Sequence, residues 1–351
     1  MFVPSGCLTA MVTPFNQDGS IDWEGMKKNI EFQISQGVKG VVPVGTTGES
    51  PTLTPEEHSL VFARTVDFVK KRVFVLAGSG SNSTKEALHY TEVAAKVGCD
   101  GALLVDCYYN GPSSLELMEE YYSPIAEKFP ELAIVPYIIP GRTGCALSAE
   151  DLALLAWKYR NLSAVKEATG DLERMRKTRR LVPDDFKIFS GDDDITYTIM
   201  TDSEIRASGV ISVISNIAPA FVQEMCARIL SGYIKEAEEF KKALAPLFKV
   251  VTVKKERIEE IPNKGRFSTE DKFRNPLPIK TTMQGLGMPA GPCRAPLGKM
   301  TFQGVKEVRE ALKVVWEKNP EVLKPIEEFY KVSVSDRLAD DEIWKELTFT
   351  Y

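Results

Sequence analysis

Short apolar runs and helix-period segments alternate along the first 215 residues. The runs are "CLTAMVTPF", "GVVPVGTTG", "VFVLAGSG", "GALLVDCYY", "LAIVPYIIP", "LSAVKEATG", "KIFSGDD" and "GVISVIS". Between them, apolar residues recur with helical spacing over 23–34, 57–69, 84–97, 115–129 and 149–159. Start signals agree with this reading. Thr54-Pro55-Glu56-Glu57 offers an N-cap, a proline at the first helical position and acids in the first turn, and Ser148-Ala149-Glu150-Asp151 is built alike. Strands alternating with helices imply a parallel sheet, and near-continuous apolar strands fit a sheet buried on both faces. Eight such units in about 220 residues predict an α/β fold, a (β/α)8 TIM barrel; a doubly wound open sheet is the alternative.

After residue 213 the pattern changes. Residues 220–251 read as one long helix. Residues 252–274, "TVKKERIEEIPNKGRFSTEDKFR", are highly charged with Pro, Gly and Asn breaks and read as a solvated insertion. Further helices are expected over 304–316 and 322–330. The chain therefore divides into a barrel, 1–227, and a C-terminal helical region, 228–351, that carries the insertion.

Composition narrows the function classes. With 43% apolar and 26% charged residues in 351, the chain has ample material for a core. A net charge of -5, with no basic run interleaved with aromatics, argues against a nucleic-acid partner. The opening "MFVPSGCLTAMVTPF" lacks a basic leader, and no run of 18 apolar residues exists to span a membrane. A cytoplasmic enzyme with no membrane partner is expected. The six cysteines have no CxxC or other metal-like spacing and read as reduced small hydrophobes.

In a barrel, working groups gather where strands end. That rule selects Gly45-Thr46-Thr47-Gly48-Glu49-Ser50, Tyr108-Tyr109-Asn110, Tyr137 with Gly141-Arg142-Thr143-Gly144, Lys166, and Ser190-Gly191-Asp192-Asp193-Asp194. Lys166 would share a strand face with Leu162, Ala164 and Ala168, two of them small enough to leave space. Burial that lowers a lysine pKa by about 3 units yields the free amine needed to attack a carbonyl. The competing reading has Lys166 pointing outward to a carboxylate while Glu167 turns inward. Glycines flanking Thr46-Thr47 let the backbone approach an anion, and Arg142 in a Gly-rich loop suits a carboxylate. "GDDD" has too few histidines nearby to suggest a metal, and reads as the start of a helix.

Taken in order, "TAMVTPF", "GTTGES", "AGSGSN", "YYNGPS", "YIIPGRTG", "VKEATGD", "SGDD", "GVISV" and "NPLPIK" resemble the dihydrodipicolinate synthase/N-acetylneuraminate lyase family of pyruvate-dependent class I aldolases. Arg142 in "PGRTG" and the double threonine of "GTTGE" resemble the branch that condenses pyruvate with L-aspartate 4-semialdehyde at the start of lysine biosynthesis. The alternatives are a sibling aldolase acting on sialic acid or 2-keto-3-deoxy sugar acids, and a non-catalytic barrel. The resemblance implies that Lys166 forms a Schiff base with pyruvate and that Tyr137 handles protons above it. It implies a relay from Tyr137 through Thr46 to Tyr109, the last supplied across a dimer interface. It places the pyruvate carboxylate on Thr46 and Thr47 and the aldehyde's carboxylate on Arg142, with Gly191 and Ile211 lining the pocket through their backbone. No metal and no organic cofactor is implied. A feedback site for L-lysine is implied at Ser50, His58, Asn82, Glu86 and Tyr108, in a homotetramer (a dimer of dimers) or a homodimer.

Overall fold

The computed structural model describes residues 3–349. Eight parallel strands close into a barrel: β1 (Gly6–Ala10), β2 (Gly40–Val42), β3 (Phe74–Gly78), β4 (Gly101–Val105), β5 (Ala133–Ile138), β6 (Ala164–Glu167), β7 (Lys187–Ser190) and β8 (Gly209–Ser212). Leu8 of β1 lies opposite both Gly40 and Ile211, which closes the ring. Each strand is shorter than the apolar run that predicts it, because the run continues into the loop at the strand's C-terminal end. Those loops carry the candidate chemistry.

Alternation along the strands sorts the side chains. Leu8, Val42, Leu76, Leu103, Val135, Ala164 and Phe189 fill the interior, while Val165, Ile134, Ile188 and Val210 face the outer helices. The helix expectations hold closely. Helices span Trp23–Ser35, Pro55–Val69, Thr84–Val97 and Ala149–Lys158. Thr54 accepts from the Glu57 amide while the Glu57 carboxylate accepts from the Thr54 amide, a reciprocal capping box. The segment at 115–129 contains a π-turn, Leu117–Tyr122.

Three expectations change. The single helix over 220–251 is two, Pro219–Leu230 and Ile234–Phe248, separated where Gly232 adopts φ +82°. The first of these packs against β1 and β8, so a barrel boundary at 227 falls inside an element of the barrel wall. The charged insertion is an antiparallel hairpin, β9 (Thr252–Ile261) and β10 (Gly265–Arg274). Its charges mask a period-two pattern. Val253 is fully buried and Phe273 half-buried on one face, and Lys255 on that face pairs with Glu307 of the helix Phe302–Lys318. The tail after 319 packs on the barrel's flank. Phe329 and Tyr330 meet Phe32 with ring centroids 5.3 and 5.2 Å away, and Trp344 sits so close over Gly285 that a Cβ there would lie 2.1 Å from its ring.

Candidate active site

At the C-terminal end of the barrel lies a cavity of about 440 Å³ lined by Thr46, Thr47, Tyr137, Arg142, Lys166, Gly191 and Asp192, together with residues of the hairpin base. Lys166 projects into it from β6. Its neighbour across the ladder is Tyr137 of β5, and the Lys166 Nζ lies 4.1 Å from the centre of the Tyr137 ring. Only 5% of Lys166 is exposed. Burial lowers its pKa from 10.5 to about 8; nearby Asp192 and Asp193 oppose the shift and Arg142 adds to it. The outward alternative for Lys166 is therefore excluded by its position. Glu167, next along β6, points the other way, is 1% exposed, and accepts from Arg174 Nε at 3.2 Å. It anchors the sheet to the helix Leu172–Leu181 and takes no part in the cavity.

Tyr137 is 6% exposed, and burial holds its phenol well above the usual range, with the Thr46 side chain close enough to oppose the shift slightly. The "GTTGE" loop that carries Thr46 leaves β2 through Val44 at φ +58° and ends on Glu49 at φ +56°. A β-branched residue in the left-handed region costs on the order of 1–3 kcal/mol, which the surrounding structure must supply. It does so in part through a fully buried ion pair, Lys280 Nζ to Glu49 Oε1 at 2.6 Å, with the Arg294 amide donating to the other Glu49 oxygen. Among the described residues, neither the Thr46 nor the Thr47 amide donates to a protein acceptor, so both remain for a bound anion.

Arg142, at the mouth, donates from Nη2 to the Asn275 carbonyl at 3.0 Å. Asn275 Nδ2 donates in turn to Thr47 Oγ1 at 3.0 Å, while its buried Oδ1 has no hydrogen-bond partner among the described residues. Sequence reading noted "NPLPIK" without assigning Asn275 a role. The "GDDD" expectation also changes. Asp192 faces the cavity, and burial raises its pKa to about 6 against the pull of Lys166. Asp193 reaches β8, accepting from Ser212 Oγ and from the Val213 and Ile214 amides, and does not serve to cap the following helix. Gly191 is on the cavity wall, where a Cβ would meet Ala168 Cβ at 2.5 Å. Ile211 is packed inside the barrel, and Val213 forms the wall at that strand. Tyr109 is not brought to this cavity: it stands 92% exposed with φ +80°.

The sequence from residue 3 to residue 315 matches the model of the dihydrodipicolinate synthetase family. The chain belongs to that family. A curated relative, the 4-hydroxy-tetrahydrodipicolinate synthase of Methanococcus vannielii, is 41% identical over 307 residues, covering 88% of this chain and 97% of that one. Among solved structures, the chloride-inhibited dihydrodipicolinate synthase of Acinetobacter baumannii complexed with pyruvate superimposes with a TM-score of 0.79 at 34% identity, over 89% of this chain and 99% of that one. The Cyanidioschyzon merolae enzyme with lysine bound gives 0.79 at 33% identity, over 89% and 98%. The tail after 319 lies beyond the part that matches the family.

Of the residues the resemblance assigns to lysine, His58, Glu86 and Tyr108 lie around Tyr90 on the barrel's flank. His58 is buried; its ring stacks on Tyr90 at 3.9 Å, its Nε2–H donates to the Gly78 carbonyl at 3.0 Å, and burial lowers its pKa to about 4, so it is neutral. Burial first, then the charge of Glu86, raises the pKa of Tyr90, with Tyr108 close enough to contribute. Glu86 accepts from Ser81 Oγ at 2.6 Å and is otherwise exposed, as is Asn82. Ser50 begins a short 3-10 turn after the "GTTGE" loop.

Proposed function

We propose that the chain condenses pyruvate with L-aspartate 4-semialdehyde through an imine on Lys166, giving 4-hydroxy-tetrahydrodipicolinate. The observation that carries this reading is Lys166 itself: a buried amine with its pKa lowered to about 8, beside Tyr137 in a cavity that also presents the Thr46 and Thr47 backbone amides. The free amine attacks C2 of pyruvate, and loss of water leaves an imine. Once protonated, the imine draws electrons from C3, and a C3 proton leaves to give an enamine. The Tyr137 phenol, whose ring centre lies 4.1 Å from the Lys166 amine, is placed to exchange these protons. The enamine carbon attacks the aldehyde, whose carboxylate Arg142 holds. The substrate's own amine then displaces Lys166, closing the ring. Thr46 and Thr47 hold the pyruvate carboxylate, and Gly191 and Val213 complete the pocket wall, with Ile211 packed in the barrel interior.

The Tyr109 phenol, exposed on a left-handed turn, fits a role in another copy's site, reached through Thr46 of that copy. This favours a homodimer or a dimer of dimers. L-lysine is the proposed feedback ligand of the group around Tyr90, with Glu86 receiving its ammonium group. No helix among the described residues is long and apolar enough to cross a membrane, and a cytoplasmic site of action is proposed. A coupled assay tests class and substrate together: pyruvate and L-aspartate 4-semialdehyde are supplied with dihydrodipicolinate reductase, and NADPH oxidation is followed. Turnover supports the reading; cleavage of N-acetylneuraminate in its place sinks it.

A further inference from the structure

The hairpin β9–β10 does more than cover the barrel. Thr252 and Lys254 of β9, and Lys272 and Arg274 of β10, line the same cavity as Lys166 and Arg142. Strand alternation explains this. Val253 and Phe273 face the helix Phe302–Lys318, so 252, 254, 272 and 274 face the other way. The register sets Lys254 directly opposite Lys272, and Thr252 opposite Arg274. Like charges directly opposite one another destabilise a strand pair. Among the described residues, Lys272 has no carboxylate partner, and Lys254 has only Glu270 at 3.3 Å, an exposed contact. Arg274 donates to the Gly141 carbonyl at 3.2 Å, and its charge lies near enough to Arg142 to repel it. The cavity thus gathers Lys166, Arg142, Lys254, Lys272 and Arg274 around a single carboxylate, Asp192. The hairpin base is held in place by buried Val253 and by the Lys255–Glu307 pair, so the backbone that carries these cations is anchored at the mouth.

We propose that Lys254 and Lys272, with Arg274 beside them, extend the Arg142 site at the cavity mouth into one carboxylate-binding subsite, which selects the aldehyde reactant by its single carboxylate. The proposal rests on the reading of the Lys166 cavity as the condensation site. The proximal carboxylate, that of pyruvate, has the Thr46 and Thr47 amides at the cavity floor. The three hairpin cations are surplus to that carboxylate and are placed where the second reactant must enter. The aldehyde's carboxylate, held by Arg142 with Lys254 and Lys272 alongside, offsets the mutual repulsion of the two lysines with charge-assisted contacts.

The test is the double variant Lys254→Ala/Lys272→Ala in the full chain, with kcat and KM measured for each reactant at low salt and at about 1 M salt, where the screening length is about 3 Å. The KM for L-aspartate 4-semialdehyde is expected to rise about tenfold, the lower end for losing charge-assisted contacts at an open site. The KM for pyruvate is expected to stay within about twofold of the wild type, and Lys254→Arg/Lys272→Arg is expected to restore the aldehyde KM. An unchanged aldehyde KM overturns the subsite. So does a parallel rise in both KM values that disappears at high salt, which marks general steering of anions. If the wild type does not turn over the aldehyde, the condensation reading fails by itself, and the subsite is scored separately. Succinate then serves as probe, competing with pyruvate for borohydride trapping at Lys166. Weaker inhibition in the double variant supports the subsite, and equal inhibition removes it.

Discussion

Replacing Lys166 by Met should abolish turnover and stabilise the protein at neutral pH. The reasoning starts from the shift of the Lys166 pKa from 10.5 to about 8, which burial causes. Each unit corresponds to about 1.4 kcal/mol, so carrying the protonated amine into the cavity costs about 3 kcal/mol at neutral pH. That figure is already net of the attraction from Asp192 and Asp193, which oppose the shift. The unfolded chain binds more protons than the folded one between about pH 8 and 10.5, so wild-type stability rises with pH across that window. The cost is present in full below about pH 8 and absent above about 10.5. Met conserves volume and adds no polar group, so its own packing cost should stay below about 1.5 kcal/mol. Urea unfolding of the wild type and Lys166→Met, run at about pH 7.5 and about pH 10, isolates the effect. The variant should gain on the wild type by roughly 1–3 kcal/mol at the lower pH, and that difference should shrink at the higher. A stability difference that is the same at both values refutes the claim that Lys166 is held with a depressed pKa.

The rate of pyruvate imine formation should rise with pH and level off above about 8, as Lys166 loses its proton; Asp192→Asn, which removes a charge that raises the Lys166 pKa, should move the inflection lower in a stopped-flow pH series. Lys280→Met should cost roughly 3–5 kcal/mol in thermal or urea unfolding, because it strands the fully buried Glu49 carboxylate, and it should weaken pyruvate binding by loosening the loop that presents Thr46 and Thr47. Glu86→Ala should leave turnover intact and weaken inhibition by L-lysine about tenfold or more in a titration of the coupled assay, since Glu86 is outside the Lys166 cavity and is the proposed partner of the lysine ammonium group.

The barrel was legible because its strands are buried on both faces, and such strands read as unbroken apolar runs even without alternation. Lys166 was legible as a candidate because a charge within such a run needs a reason. What could not be read was parity: whether Lys166 or Glu167 faces inward depends on the ladder register, and the register came only with the fold. The hairpin was hidden for a different reason. Charges occupy both of its faces; Ile261 and Phe267 share the Val253 and Phe273 face but stand exposed, and Ile258 on the other face, with Pro262, Asn263 and Gly265, breaks the period. Asn275 and Asp192 gain their roles from neighbours far along the chain, Thr47 for one and Lys166 for the other, and spacing along the sequence holds no trace of such contacts. The family motifs supplied what spacing could not, an ordered set of positions around one cavity. They carried no information on the hairpin cations, which lie in a segment where none of those motifs falls.

Borohydride reduction in the presence of pyruvate, followed by peptide mass spectrometry, tests the central claim most directly. One stable adduct, with the mass of a reduced pyruvate imine, is expected on Lys166 and absent from Lys166→Met. An unlabelled Lys166, or the same adduct on another lysine, contradicts it.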